Sequence, residues 1–154
     1  MMLDWLCGLM SVSVAWSTPA GASAVLHDWD ARRAAAWAAQ DPDALRSLYV
    51  PGSTTGGADV AMLRAWRERG LRVRELRTQV LSLDVRRATA TRLDLLVTDR
   101  LSGAVARGPG VRLPLPRDRP TTSHVVLVRD GDGWRVAQAS AVRTTSWTVR
   151  SRNE

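Results

Sequence analysis

Three amino acids are missing from this chain of 154 residues: it contains no lysine, isoleucine or phenylalanine. All 22 of its basic residues are therefore arginines, and with 15 acidic residues they give a net charge of +7. The missing types have AT-rich codons, so their absence indicates a GC-rich genome rather than a function. The arginines are spread along the chain and mixed with Asp and Glu, which argues against a nucleic-acid-binding surface.

Cysteine is nearly absent, and two histidines are the only imidazoles. The single cysteine, Cys7, lies in an apolar N-terminal stretch, so the rest of the chain has no thiolate for a metal site or a nucleophile. The run DGDG at 130–133 resembles the start of a calcium loop, but the required glutamate would fall at Ala141. No zinc-ligand spacing and no G-x-S-x-G motif occurs. We therefore expect no metal and no cofactor.

The N-terminal residues form a segment of their own. An apolar stretch from Trp5 to Trp16 is too short to span a bilayer as a helix, and STPAGASA follows it. This order is typical of a secretory signal cleaved after Ala24, although Asp4 stands where a basic residue is usual. We predict a signal peptide over 1–24 and an extracytoplasmic protein, secreted or associated with the cell envelope. The alternative is a structural N-terminal helix in a cytoplasmic protein.

The remaining chain reads as helices followed by strands. Apolar residues at helical spacing predict a helix from about Val25 to Gln40, and Asp41-Pro42 starts a short second helix. A loop at 51–57 precedes a third helix, from about Asp59 to Arg69, that ends at Gly70. From Val73 onward the period is two, with a bulge expected near Val80, an edge strand near 111–115 and a hairpin turn at 130–133. This order predicts an α+β domain over 25–142, followed by a flexible Arg-rich tail over 143–154.

Short segments of the domain resemble a known superfamily. They are DARRAAAW, DPDAL, LYVPGS, MLRAWRERGLRV, VTDRL, LPRDRP and GWRVA, in that order. With the order of elements they resemble the nuclear transport factor 2-like (NTF2-like, or SnoaL-like) superfamily, and in particular actinobacterial, predicted-secreted members of unknown role. The resemblance implies a cone in which three N-terminal helices pack on a curved, mostly antiparallel sheet, with a pocket between them. Some relatives are isomerases, dehydratases or cyclases and others only bind, so the fold by itself implies no reaction.

Polar residues on apolar faces are the candidates for chemistry. Asp99 interrupts the apolar face of a strand, and Asp30 and Arg33 interrupt that of the first helix. Asp99 and His124 are the candidate acid–base pair, with Arg33 orienting an oxyanion. The competing interpretation is a structural ion pair of Arg33 with Asp99, Asp30 or both, together with a half-buried His124. We expect the pocket to be lined by Asp30, Arg33, Trp37, Tyr49 and Trp66.

Two functions remain open at this point. Val125, Val126, Leu127 and Val128 are apolar on both faces of one strand, so the outer face of the sheet is expected to be covered by a second copy or another protein. This favours a non-catalytic binding or assembly domain, which light scattering would test through its oligomeric state. The alternative is a proton-transfer enzyme (isomerase, cyclase or dehydratase) acting on an apolar small molecule.

Overall fold

Three helices precede an antiparallel sheet in the computed structural model, which describes residues 15–131 and 133–143. A 3-10 turn, Ala15–Ser17, leads into α1 (Pro19–Ala39), α2 (Pro42–Ser47) and α3 (Thr54–Glu68). The strands are β1 (Arg72–Ala88), β2 (Arg92–Gly108), β3 (Val111–Pro114), β4 (Thr121–Asp130) and β5 (Gly133–Ala141). The predicted tail beyond Arg143 and the first fourteen residues of the predicted signal peptide lie outside the described residues. Among the helices within residues 15–131 and 133–143, none combines the length and hydropathy of a transmembrane span.

The sheet has five strands in the order β1-β2-β4-β5, and β3 pairs with the far end of β2. All of its pairs are antiparallel. The long β1–β2 ladder contains several register shifts, including one between Val80 and Ser82, where the sequence predicts a bulge. Such bulges bend a strand and increase its twist, which curves the sheet around the helices. The α+β class predicted from the sequence is confirmed.

Capping residues fix where the helices begin and end. The Asp41 side chain accepts bonds from the backbone N–H groups of Asp43 and Ala44, so α2 begins as predicted. Gly70 follows α3 with a φ of 70°, and the N–H of Leu71 donates to the carbonyl of Trp66. Both features are the cap signals that the sequence carries.

Two helix starts differ from the prediction. Helix α1 begins at Pro19, about six residues earlier than expected, because the Thr18 hydroxyl accepts a bond from the N–H of Gly21. Ala22 within this extension is fully buried. Helix α3 begins at Thr54, inside the predicted loop, because Ser53 caps it through the N–H of Gly56. In both cases a Ser or Thr cap outweighed a run of residues that are typical of loops.

The core lies between the helices and the inner face of the sheet. Its least exposed large side chains come from both layers: Leu45, Leu63, Leu93, Leu95, Val97, Leu127 and Val136. Alternation along β4 directs Val125 and Leu127 inward, and Val126 to the outer face opposite Asp94 and Gln138. Val126 is nevertheless only 5% exposed, and Val128 is half-buried. The outer face of β4 thus exposes less apolar surface than the sequence suggests.

Candidate functional site

An open cavity of about 560 Å³ lies between the helices and the concave face of the sheet. Its walls are mostly apolar and include aromatic rings from α1 and α3. The five residues that the sequence places in the pocket all line it, and so does Asp99. The full polar set on its walls is Asp30, Arg33, Tyr49, Thr55, Asp59, Thr78, Asp99, Arg100, Asp118 and Ser123. A water-accessible apolar cavity with a few convergent polar groups is the usual form of a small-molecule site.

Asp59, near the middle of α3, organises one wall of the cavity. Its two carboxylate oxygens accept bonds from Nε and Nη2 of Arg33, each at 2.7 Å. They also accept from the Tyr49 hydroxyl at 2.7 Å and from Nε1 of Trp37 at 3.2 Å. The Asp59 side chain is 8% exposed and that of Arg33 is 25% exposed, so the bidentate pair is largely removed from water. Four donors satisfy the carboxylate, which is what a buried charge requires.

This network shifts the pKa values of the two titratable residues that donate to Asp59, Arg33 and Tyr49. Burial alone would lower the pKa of Arg33, but the hydrogen bonds and charge of Asp59 outweigh it and raise that pKa above its usual value. Burial raises the pKa of the Tyr49 hydroxyl, and the nearby Asp59 charge raises it further. Arg33 is therefore a fixed cation and Tyr49 a fixed neutral donor. Neither exchanges protons near neutral pH.

The ion pair predicted for Arg33 is corrected by this arrangement. Its partner is Asp59, and it forms no salt bridge with Asp30 or Asp99 among the described residues. Asp59 is not among the predicted site residues, because the third helix was predicted to begin there. A signal was present, since Asp59, Leu63 and Trp66 recur at intervals of four and three residues and so share one face of α3.

Asp30 and Asp99 face the same cavity, and neither has a counter-ion of its own within the described part of the chain. Burial raises the pKa of Asp30 to about 6; the charge of Arg33 opposes this rise, and that of Asp99 adds to it. Burial also raises the pKa of Asp99, with a further contribution from Asp118 and opposition from Arg33. The two carboxyls are close enough to influence each other, and both retain protons at a higher pH than ordinary aspartates do.

His124 does not join this pair. Ser123 and Val125 line the cavity, so the alternation of β4 turns His124 to the outer face, where it lies opposite Leu96 and Ser140. Asp99 pairs in register with Thr121 at the start of the same strand, with its side chain on the cavity side. The structure thus brings together Asp30, Arg33 and Asp99, and it separates His124 from them.

A second, more polar cleft of about 510 Å³ lies between α1 and β1. It shares four residues with the cavity: Asp30, Arg33, Leu76 and Thr78. Asp30 therefore borders both spaces. Within residues 15–131 and 133–143, no group of three or more His, Cys, Asp or Glu side chains is placed to hold a metal ion.

No protein-family model matches the chain, and no curated protein is significantly similar to it. Solved structures are similar in fold. The intermembrane-space region of the chloroplast protein ARC6 superposes with a TM-score of 0.54 at 14% identity, over 82% of this chain and 98% of that one. The protein Aln2 from a Streptomyces species gives 0.54 at 18% identity, over 82% and 92% of the two chains.

A third similar structure is a candidate dehydratase of the NTF2-like family from Streptomyces avermitilis. It superposes with a TM-score of 0.51 at 15% identity, over 84% of this chain and all of the other. Identities this low carry information about the fold alone. Together with the three helices packed on a curved antiparallel sheet, they show that this chain adopts the fold of the NTF2-like superfamily.

Proposed function

We propose that the cavity binds an apolar small molecule and that Asp30 exchanges a proton with it, as an isomerisation, cyclisation or dehydration requires. One observation carries this proposal: two carboxyls that form no salt bridge within the described residues face an open apolar cavity, while the neighbouring arginine is already paired with Asp59. A carboxylate held by arginine would be a weak base. Arg33 forms its salt bridge with Asp59, and for Asp30 and Asp99 burial outweighs the attraction of its charge.

Asp30 is the better placed of the two to act as the base. A general base is most effective when its pKa lies near the working pH, and that of Asp30 is raised to about 6. At neutral pH it is mostly ionised, yet it is more basic than a solvated aspartate. Asp99, in the same cavity, serves as the second acid–base group.

Arg33 contributes a fixed positive charge. Its Nε and Nη2 donate to Asp59, and the residue lines the cavity, so its remaining N–H groups can donate to a bound molecule. A guanidinium held in this way stabilises an oxyanion that develops after a proton is removed, without reorganising during the reaction. Asp59 acts through Arg33 and is a positioning residue.

The base-catalysed ring opening of nitrobenzisoxazole tests this proposal without knowledge of the natural substrate. The base removes the C–H proton, the N–O bond breaks, and its electrons remain on the oxygen of a coloured cyanonitrophenolate. We expect kcat/KM to rise with pH and level off above an apparent pKa of about 6. The Asp30→Asn variant should lose on the order of a hundredfold.

Asp43→Asn is the matched control, because Asp43 lies on α2 with 87% of its side chain exposed. It should retain the activity of the parent protein. Activity no greater than that of buffer, or equal activity in Asp30→Asn and the parent, would overturn the proposal.

A non-catalytic binding domain is the function that the sequence favours, with the proton-transfer enzyme as its alternative. It would use the same cavity, so an apolar ligand would bind without turnover. Export and assembly through the outer sheet face remain predictions. The burial of Val126 leaves the assembly hypothesis with less exposed apolar surface than the sequence suggests.

A further inference from the structure

The charges on the cavity wall are opposite in sign to the charge of the whole protein. The chain has a net charge of +7, yet four aspartates and two arginines line the cavity. Arg33 is paired with Asp59 through two 2.7 Å bonds. Asp30, Asp99 and Asp118 form no salt bridge within the described ranges, and Nε of Arg100 donates to Gln79. The cavity is therefore an acidic site in a basic protein.

Aromatic and apolar side chains make up the rest of the wall. Trp29, Trp37, Tyr49 and Trp66 all line the cavity. Rings of this kind accept an organic cation against their faces as readily as an apolar group. The guanidinium of Arg69 lies 5.1 Å from the centroid of the Trp66 ring, so this ring already contacts a cation of the protein itself.

From this juxtaposition we infer that the ligand is a cationic amphiphile: an apolar or aromatic body with a protonated amine that pairs with Asp99, which leaves Asp30 as the base. The inference names a ligand class for the proposed site, and so it rests on the proposed function. A carboxylate or phosphate would meet three aspartates that form no salt bridge within the described residues. The cations on the described part of the wall are Arg33, which two bonds hold to Asp59, and the half-buried Arg100, whose Nε donates to Gln79.

Binding of such a cation depends on pH through Asp30, because the charges of Asp30 and Asp99 act on each other. His27 and Arg33 from the same helix also act on Asp30, and Arg77 lines the adjoining α1–β1 cleft with it. A bound ammonium favours ionised Asp30 and expels its proton. The affinity for an amine should therefore rise between about pH 5 and pH 7, whereas that for a neutral ligand should not change.

Three naphthalene probes of matched size provide the test: naphthylmethylamine, naphthalenemethanol and naphthoate. Calorimetry or naphthalene fluorescence gives their dissociation constants on the whole protein at about pH 7. We expect the amine to bind about tenfold more tightly than the alcohol and the naphthoate to bind most weakly. The preference for the amine over the alcohol should shrink in Asp30→Asn and in Asp99→Asn, and persist in Asp43→Asn.

Binding of the alcohol distinguishes failure of the cationic-ligand inference from failure of the proposed function. Binding of the alcohol without a preference for the amine would overturn the cationic ligand and leave the apolar cavity intact. No binding of any probe would overturn the proposed function as well. Naphthoate binding as tightly as the amine would contradict the inference in the parent protein alone, so the conclusion does not depend on whether a variant folds.

Discussion

Asp30 and Asp59 line the same cavity, and yet they have opposite roles. Asp59 has four donors around it and is a structural anion. Asp30 has a nearby arginine that is committed elsewhere, so burial outweighs attraction and raises its pKa to about 6. Ionised Asp30 therefore lowers the free energy of unfolding, as charged groups at functional sites commonly do.

We predict that Asp30→Asn stabilises the protein at high pH only. The folded-state pKa of Asp30 lies above its unfolded value of 3.8, so the native state holds the proton more tightly. The parent protein therefore loses stability as the pH rises from about 4 to about 6, whereas asparagine cannot ionise. The variant should gain about 2–3 kcal/mol at about pH 8 and nothing at about pH 4.

Urea unfolding at both pH values measures this difference. Asp43→Asn, on the exposed side of α2, should show no comparable gain at either pH. An equal effect of Asp30→Asn at both pH values would mean that the carboxyl does not titrate as described.

The charged cavity residues were predicted correctly from the sequence, but the salt-bridge partner of Arg33 was not. Asp30, Arg33 and Asp99 stand out because each interrupts an apolar period, and all three line the cavity. The partner of Arg33 could not be predicted, because it depends on how closely α1 and α3 approach each other. His124 gave a misleading signal, since its strand is apolar on both faces and the period does not tell which face is inner.

Helix α3 contains two adjacent glycines, Gly56 and Gly57, whose surroundings differ. A Cβ added at Gly56 would lie 2.6 Å from both Cβ and Cγ of Tyr49. The Tyr49 side chain has little freedom to move, because its hydroxyl donates to Asp59 and its ring packs edge-on against Trp29 at 5.4 Å. A Cβ at Gly57 would meet nothing within 4 Å.

We therefore predict opposite effects for two neighbouring alanine substitutions. Gly56→Ala should destabilise the protein by about 1–3 kcal/mol, because the added methyl group overpacks the contact with Tyr49. Gly57→Ala should stabilise it by about 0.5–1 kcal/mol, because alanine favours the helix and has space there. Thermal or chemical unfolding of both variants measures the difference, and two changes of the same sign would contradict the close approach.

The type of each element could be predicted from the sequence, whereas the starts of α1 and α3 could not. The change of period from helical spacing to two, near Val73, is local information, and it locates the start of the sheet correctly. The residues TTGG resemble a loop, yet they form the first turn of α3, because Ser53 caps it and Gly56 fits closely against Tyr49. That fit is a tertiary contact, and composition does not reveal it.

At the largest scale, Trp16, which precedes α1, contacts two neighbouring turns at one end of the sheet. Trp16 donates through Nε1 to the carbonyl of Thr89 at 2.7 Å, and its ring meets that of Trp134 edge-on at 5.3 Å. The guanidinium of Arg129 lies 4.7 Å from the Trp16 ring centroid. This small cluster connects the start of α1 to the hairpin turns of the sheet.

We predict that a chain starting at Val25 is less stable than one starting at Ala15, by on the order of 2–4 kcal/mol. The shorter chain loses the Trp16 contacts and the buried Ala22. Denaturant unfolding of the two chains measures the difference, and Trp16→Ala in the longer chain isolates the contribution of the ring. Equal stabilities would show that the extension is not part of the cooperative unit.

The stabilities of these two chains also give the effect that cleavage of the predicted signal peptide would have. Cleavage after Ala24, as predicted from the small residues there, would yield the shorter chain. The measured difference therefore gives the stability that such processing would remove.

Hydrophobic period, caps and turns are local properties of the chain, so the elements, their order and the α+β class could be predicted from the sequence. Three charged cavity residues could also be predicted, because a charge on an apolar face interrupts the period. The salt bridge of Asp59 with Arg33, the outward position of His124 and the lack of a counter-ion for Asp30 and Asp99 among the described residues could not. Pairing and burial depend on distances between elements far apart in the chain, and these distances are set when the helices pack on the sheet.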